Sequence, residues 1–319
     1  MLTLVHILLA VIVITSIHYS SLYQILSVEW QKAAFHYCYV MPFVIAVLLW
    51  MRRHEFLILS SRPSWVGLLP LLMGYFFLLF GKFNGEFLFH YLSIWFMILG
   101  LCWSKLGWKK LKVILFPIML ILTMLPPPHF FYVRLTTTVQ TISTKIAAQL
   151  LRLFQIPVLS QGNVLELPGG RFAVTESYFD LRFLIPLIIA ALIMLYLFRD
   201  KLWKGIIAIV LSVPMGIFFN GVRMAALAFW TNANSSRAVA GWMHEALGWA
   251  LFLVGTGILL AVIYLLPGRQ IIRHVGPAIQ LTWEPDDFKQ DENDIDKRKR
   301  LPIPFYAAIA VLVGMFFFN

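Results

Sequence analysis

Long apolar runs alternate along the chain with short segments that carry its charged residues. Several of these runs approach the ~20 residues that a helix needs to cross a hydrocarbon core of about 30 Å. Separating the runs at the charged segments predicts nine spans: Leu2–Ser20, His36–Met51, Trp65–Gly81, Phe87–Trp103, Val113–Leu125, Leu181–Phe198, Gly205–Phe219, Gly241–Leu266 and Pro304–Phe318. The pattern therefore predicts an all-α polytopic membrane protein with about eight or nine transmembrane helices.

The composition excludes other classes of protein. Of the 319 residues, 60% are hydrophobic and 13% are charged, whereas about 25% are charged in a typical soluble domain. The mean hydropathy is +0.81. Neither a water-soluble globular domain nor a disordered chain fits these values. The first apolar run, Leu2–Ile17, has no basic segment before it and no small-residue cleavage site after it, so we expect a retained span rather than a signal peptide.

The formal net charge is +11, and most of the Lys and Arg residues lie in clusters that follow predicted spans two, four, six and eight. These clusters all lie on one side of a nine-span chain, and basic loops face the cytoplasm. We therefore expect a multi-pass protein of the inner (plasma) membrane, with its N-terminus in the cytoplasm and its C-terminus outside. Such clusters are typical of contact with a lipid bilayer, and no nucleic-acid partner is predicted.

One connection, Pro126–Asp180, is longer than the other external ones. Three consecutive prolines at its start end span five. The segment Val133–Phe154 has apolar residues at helical spacing with polar residues between them, which predicts an amphipathic helix on the outer membrane interface. Beyond it, β-branched residues alternate around Gly162-Asn163 and Gly169-Gly170, which predicts one or two small β-hairpins.

Charged and polar residues collect at the predicted outer ends of spans six, seven and eight, and topology brings these three ends to one depth. They are Glu176, Asp180, Arg182, Asn220, Arg223, His244 and Glu245. Ionisable groups are costly within a membrane and usually have a function. An imidazole, a guanidinium and carboxylates could supply a general base, an oxyanion clamp and an orienting group. The alternative interpretation is that each is an interface anchor at a helix end.

The two cysteines, Cys38 and Cys102, lie in separate apolar segments without CxxC spacing. Neither a disulfide framework nor a zinc site is supported, and no cofactor or metal is predicted. Cys38 lies near the external end of span two, where a small buried hydrophobic side chain is a simpler interpretation than a nucleophile.

Three segments carry a resemblance to a known family. They read GNVLELPGGRFAVTESYFDLRFL, FFNGVRMAALAF and HEALGWALFLVG, and LTMLPPP precedes them. In this order they resemble the exosortase/archaeosortase family of membrane-embedded cysteine transpeptidases over residues 116–253. The resemblance implies substrates that are membrane-anchored proteins with a C-terminal sorting tail, made of a short motif, a transmembrane helix and a basic cluster.

The resemblance implies specific roles for single residues. Arg223, which follows Asn220 by three positions, matches the catalytic arginine, and His244 matches the catalytic histidine that would act as base. Tyr178 stands where the family has its nucleophilic cysteine, and a phenol is a poorer nucleophile than a thiol because it ionises near pH 10. Ser177 is the alternative nucleophile. Glu176, Leu181 and Arg182 match the positions flanking the nucleophile, whereas Phe179 and Asp180 replace the small Ser and Gly of the family pattern.

With Tyr178 in place of the family's cysteine, two functions are compatible with the sequence. One is an active transpeptidase with Ser177 or another nucleophile, His244 as base and Arg223 as oxyanion stabiliser. The other is a non-catalytic protein that binds sorting tails, or an assembly factor associated with exopolysaccharide export. A transporter is less well supported because the charged groups lie at one face rather than at the midplane, and only His244 favours an acyltransferase.

The resemblance also suggests a division of the chain. Residues 1–267 form the exosortase-like transmembrane domain, residues 268–302 a charged cytoplasmic linker, and residues 303–319 an additional C-terminal transmembrane helix. The linker has an acidic run followed by the basic residues 297–300, which we expect to contact anionic headgroups.

Overall fold

A computed structural model describes residues 2–161, 164–168, 170–173, 183–198, 202–233, 241–266 and 307–308. This part of the chain is predominantly α-helical, as the apolar runs predict. The α-helices are α1 (Leu2–Ile17), α2 (Tyr19–Gln24), α3 (Met41–Met51), α4 (Arg53–Ile58), α5 (Leu68–Asn84), α6 (Phe87–Leu120), α7 (His129–Leu153), α8 (Leu184–Leu197), α9 (Leu202–Ala233) and α10 (Gly241–Leu265). The all-α polytopic fold is confirmed.

Five helices in the described ranges are long and apolar enough to cross a membrane, or six if α1 and α2 count as one bent span. They are Ala34–Met51, Trp65–Asn84, Phe87–Met124, Leu202–Trp230 and Ala246–Leu265. Helix α8 is apolar but shorter, at 14 residues. Predicted span four and all of span five except Leu125 fall within Phe87–Met124, so a count by length alone treats them as one.

The chain divides into two compact units. The first contains Met1–Lys32, Cys38–Pro126 and Arg273–Asn319, and the second contains Ala33–Tyr37 and Pro127–Ile272. Helices α5 and α6 lie in the first unit, and helices α7 to α10 lie in the second.

In the first unit, α6 is a helical hairpin. The indole Nε1 of Trp95 donates a hydrogen bond of 2.8 Å to the carbonyl oxygen of Ile118. A continuous helix would separate residues 23 positions apart by about 35 Å, because each residue rises 1.5 Å. The chain therefore turns back between them, and Trp95, Leu99, Leu111 and Ile118 pack together in one buried cluster. The two arms agree with the separate fourth and fifth spans that the sequence predicts.

The turn of this hairpin lies at Gly107. Its backbone angles are φ 73° and ψ 173°, a conformation that is essentially restricted to glycine. A Cβ at this position would overlap the carbonyl oxygen of Arg62. The basic residues Lys105, Lys109, Lys110 and Lys112 surround the turn, as expected for a connection between two spans.

The first predicted span is not straight. Residues Leu8–Ile17 and Tyr19–Glu29 meet at an angle of 84°. His18, at this bend, is buried, and its Nε2 lies 3.0 Å from Ser93 Oγ. Its Nδ1 lies 3.2 Å from the Ile14 carbonyl oxygen, so the ring contacts its own helix and the neighbouring α6.

Span nine falls mostly outside the described residues. Residues 307 and 308 are helical, and Ala308 is fully buried in a cluster of the first unit with Ile17 and Leu71.

In the second unit, α7 is the predicted amphipathic helix and begins four residues earlier than expected, directly after Pro128. It packs along α9. Its buried stripe has the 3–4 residue spacing of a helix face and is polar in its first half: Thr136, Val139, Gln140, Ser143, Thr144, Ala147, Ala148 and Leu151. Phe130 and Leu153, by contrast, are 76% and 77% exposed. The helix therefore turns several of its polar side chains toward α9.

The predicted hairpins are confirmed as a three-stranded antiparallel sheet. Its strands are β1 (Leu159–Gln161), β2 (Val164–Leu167) and β3 (Gly170–Ala173), in the order β1-β2-β3. Leu159 pairs with Glu166, and Val164 pairs with Ala173. Leu165 and Leu167 point to the buried face, where they pack against α7 and α9. The sheet thus covers the C-terminal half of the α7–α9 pair.

The predicted seventh span is longer than expected. The sequence pattern ends it at Phe219, whereas α9 continues to Ala233. The residues that follow Arg223 read MAALAFW, and these good helix formers contain no Gly or Pro that would end a helix. Asn220 and Arg223 therefore lie within a helix rather than at its end.

Candidate functional site

Arg223 is the most deeply buried charged side chain in the described part of α9. It is 2% exposed, although an arginine anchored at a membrane interface would keep its head in water. Its Cζ lies 5.0 Å from the centroid of the Phe183 ring, within the range of a cation–π interaction. Arg223 is therefore not a snorkelling anchor.

A small pocket opens beside Arg223 and Asn220, which lie one helical turn apart on α9. Its volume of about 20 Å³ leaves room for one water-sized group. Helices α7 to α10 all contribute to its walls, which are mostly apolar. The lining residues are Val139, Phe183, Leu184, Leu187, Gly216, Phe219, Asn220, Arg223, Leu251 and Phe252. A guanidinium and an amide thus meet in an otherwise apolar chamber, where electrostatic interactions are strong because little water screens them.

Helix α7 supplies a polar contact that sequence reasoning missed. Asn220 Nδ2 donates to Ser143 Oγ at 3.2 Å, and Ser143 Oγ donates to the carbonyl oxygen of Ile217 at 3.2 Å. Ser143 is fully buried. The signal that could have found it is its place on the polar stripe of α7, three residues after Gln140 and four before Ala147.

Helix α10 reaches the same aromatic ring. Gly248 packs so closely on Phe183 that an added Cβ would overlap the ring. Position 244 lies one turn before Gly248 on the same face of α10. The helix that carries His244 therefore meets α9 around Phe183, although the side chains of His244 and Glu245 lie outside the described residues.

The remaining predicted site residues also fall outside the described residues. They are Glu176, Ser177, Tyr178, Asp180 and Arg182. Of the predicted set, the structure places Asn220 and Arg223 together in one pocket, and the roles of all the predicted site residues stay predictions.

Cys38 belongs to the first unit, and its thiol is fully buried. Its Sγ lies 3.7 Å from the carbonyl oxygen of Met124, which favours the interpretation as a small buried side chain over that of a nucleophile. Within the described ranges, no group of three or more His, Cys, Asp or Glu residues could hold a metal ion.

Apolar spanning helices around a buried arginine and a half-buried asparagine define a polytopic membrane protein with a polar site among its helices. The chain belongs to the transmembrane exosortase family, whose model matches residues 30–261, more than half of the 319 residues. The match includes the pocket and all the predicted site residues. No curated protein and no solved structure matches the chain.

Proposed function

We propose that this protein recognises membrane-anchored proteins with a C-terminal sorting tail, at the external face of the plasma membrane, for their processing or sorting. The observation that carries this proposal is the burial of Arg223 beside Asn220 in an apolar pocket. Membership of the transmembrane exosortase family supports the substrate class.

In this proposal, Arg223 binds the oxygen that becomes negatively charged when the peptide carbonyl is attacked. A guanidinium suits this role because it stays protonated and offers several donors in a fixed plane. Phe183 and the apolar walls hold it in place before the substrate arrives, and donors fixed in this way need no reorganisation during the reaction. His244, from the first turn of α10, acts as the general base.

The nucleophile decides whether the protein cleaves the tail. By the family pattern, Tyr178 occupies the cysteine position, and Ser177 is the neighbouring hydroxyl that His244 could activate. A protein that binds tails without cutting them, or an assembly factor associated with exopolysaccharide export, is the second candidate function. It is favoured by the sequence Tyr178-Phe179-Asp180, which replaces the cysteine and the two small residues of the family pattern.

The proposal is tested by co-expression with a reporter protein that carries a C-terminal sorting tail. Processing is followed by the gel shift of the reporter, and binding by co-purification in detergent. Cleavage by the wild type that His244→Ala abolishes would establish an enzyme, and its loss in Ser177→Ala would identify the nucleophile. Cleavage only by Tyr178→Cys would establish a tail-binding protein on an intact scaffold. If the wild type and Tyr178→Cys neither cleave nor bind the reporter, the proposed function is wrong.

A further inference from the structure

The hydrogen bonds of Ser143 fix the orientation of the Asn220 side chain. A carbonyl oxygen can only accept, so the Ser143 hydroxyl proton goes to the carbonyl oxygen of Ile217, 3.2 Å away. Ser143 Oγ then accepts from Asn220 and needs a donor, which only Nδ2 of the amide can supply, at 3.2 Å. Oδ1 and Nδ2 lie in one plane on opposite sides of the Cβ–Cγ bond, so Asn220 Oδ1 points away from Ser143 and is the hydrogen-bond acceptor that this side chain offers to a ligand.

The backbones of α7 and α9 approach closely enough for this contact because residue 221 is a glycine. A Cβ on Gly221 would lie 2.7 Å from Ile146 Cγ2 and 3.1 Å from the Ser143 carbonyl oxygen, and both distances are shorter than a normal contact. Small residues permit such approaches between membrane helices, where hydrogen bonds across the interface help to hold the pair. The close packing of α7 and α9 at Gly221 therefore allows Ser143 and Asn220 to form a hydrogen bond.

Asn220 and Arg223 both line the pocket and are three residues apart, so their Cβ atoms are about 5–6 Å apart on one helix face. One side chain offers an acceptor and the other offers donors. In an extended chain the N–H and the C=O of one residue point to the same side, as in the pairs of an antiparallel ladder. An acceptor and a donor side by side match that backbone edge, and a pocket with room for one water-sized group excludes a large side chain.

We propose that Asn220 Oδ1 accepts a backbone N–H of the bound tail while Arg223 donates to a carbonyl oxygen of the same extended segment, and that Ser143 is the positioning residue for Asn220. This inference rests on the proposed function and adds to it the group that is recognised, a secondary amide. A ligand that lacks the N–H donor, such as an ester, leaves the Asn220 acceptor without its partner.

The experiment measures the affinity of the full chain, in detergent micelles, for a fluorescent synthetic peptide that copies the tail of the reporter. A series of peptides replaces each backbone amide of the tail motif with an ester, one at a time, which removes a single N–H. For the wild type we expect one ester position to weaken binding about tenfold, since one hydrogen bond in an apolar site has this magnitude. In Asn220→Leu, which removes the acceptor, that position should cost no more than its neighbours.

The role of Ser143 is tested by the same quantity, the ratio of the affinities for the amide peptide and for the peptide with the sensitive ester. In Ser143→Ala we expect the tenfold discrimination to fall to about threefold or less, because the amide loses its anchor. Thr144→Val is the matched control: Thr144 is also fully buried on α7, but its hydroxyl donates to the Gln140 carbonyl oxygen of its own helix, at 2.8 Å. Thr144→Val should keep the tenfold ratio. If both variants lower the ratio, the effect comes from poorer packing of α7 and not from the hydroxyl of Ser143.

The outcomes separate the two proposals. If the wild type does not bind the peptide, the proposed function is wrong and the inference falls with it. If the peptide binds but the same ester position costs as much in Asn220→Leu as in the wild type, the proposed function stands and the role of Asn220 is wrong. If the role of Asn220 is right and that of Ser143 is wrong, Ser143→Ala will distinguish the amide from the ester peptide as well as Thr144→Val does.

Discussion

The α6 hairpin of the first unit and the α7–α9 pair of the second unit bury different kinds of side chain. Between the arms of α6 lie Trp95, Leu99, Leu111 and Ile118. In the α7–α9 pair, four of the first five buried residues of α7 are polar, Thr136, Gln140, Ser143 and Thr144, and the fifth is Val139. In each region a buried side chain donates a hydrogen bond to a main-chain carbonyl oxygen, Trp95 in the hairpin and Ser143 in the α7–α9 pair.

The two hydrogen bonds have different consequences: one stabilises the packing of helices, and the other also orients a side chain of the pocket. Burying apolar surface provides little discrimination between helices in a membrane, because lipid tails are as apolar as leucine, so packing and hydrogen bonds determine the pairing. In the hairpin, the bond from Trp95 joins two arms of one helix. In the α7–α9 pair, the bonds of Ser143 also orient Asn220, which lines a pocket with Arg223. We therefore expect changes in the hairpin to affect stability and changes in the polar pair to affect recognition.

The largest effect is expected from Arg223→Leu, which removes the guanidinium from the pocket. Loss of one preorganised donor to a developing oxyanion costs about 10²–10³ in rate, so reporter processing by the wild type, or by Tyr178→Cys if only that variant cleaves, should fall by this factor. Arg134→Leu is the control, because Arg134 is exposed on α7. Equal processing by the two variants would remove Arg223 from the site.

A smaller effect, on stability alone, is expected from Gly107→Ala at the turn of the hairpin. The glycine has φ 73°, and a Cβ would overlap the Arg62 carbonyl oxygen. A strained residue of this kind costs of order 1–3 kcal/mol, so we expect the free energy of unfolding to fall by about 2 kcal/mol. The measurement is the thermal unfolding midpoint of the purified chain in detergent.

Gly257→Ala in α10 is the control for this prediction, since a Cβ at that position meets no atom within 4 Å. It should leave the midpoint unchanged or raise it slightly. If the unfolding midpoint falls equally in both variants, the backbone conformation at Gly107 is not the reason why a glycine is needed there.

The smallest effect is expected from Trp95→Phe, which keeps an aromatic ring in the hairpin and deletes the donor to the Ile118 carbonyl oxygen. One buried hydrogen bond contributes about 1 kcal/mol, and the unfolding midpoint should fall accordingly, while tail binding stays at the wild-type value. Trp65→Phe is the matched control, because Trp65 is 57% exposed. Loss of tail binding in Trp95→Phe would contradict the division of roles between the two regions.

Part of the candidate site could be predicted from the sequence. Arg223, Asn220 and His244 stand out as polar residues beside apolar runs, and their spacing carries the family resemblance. Ser143 could not be found in this way, because Ser and Thr are common on the exposed side of an amphipathic helix. The contact with Asn220 also depends on the close approach at Gly221, 78 positions away in the chain.

The end of span seven shows the limit of reasoning from hydropathy. Arg223 interrupts an apolar run, so the pattern predicts that the span ends before it. In the structure α9 continues to Ala233, because neighbouring helices bury the guanidinium among polar and aromatic groups and no residue after it breaks the helix. Only the environment that a charged side chain receives in the fold decides whether it ends a span.

The sequence by itself determined the class of the protein, the apolar runs that become its helices, the prolines that end span five, and the small sheet. These features follow from local preferences and from the cost of placing polar groups in hydrocarbon, both of which act on short stretches of chain. The tertiary structure decided that the polar stripe of α7 faces α9, that Asn220 is held by Ser143, and that Arg223 lies over Phe183 beside a pocket. Those contacts join residues from separate helices, and their geometry depends on packing distances that no single stretch of sequence contains.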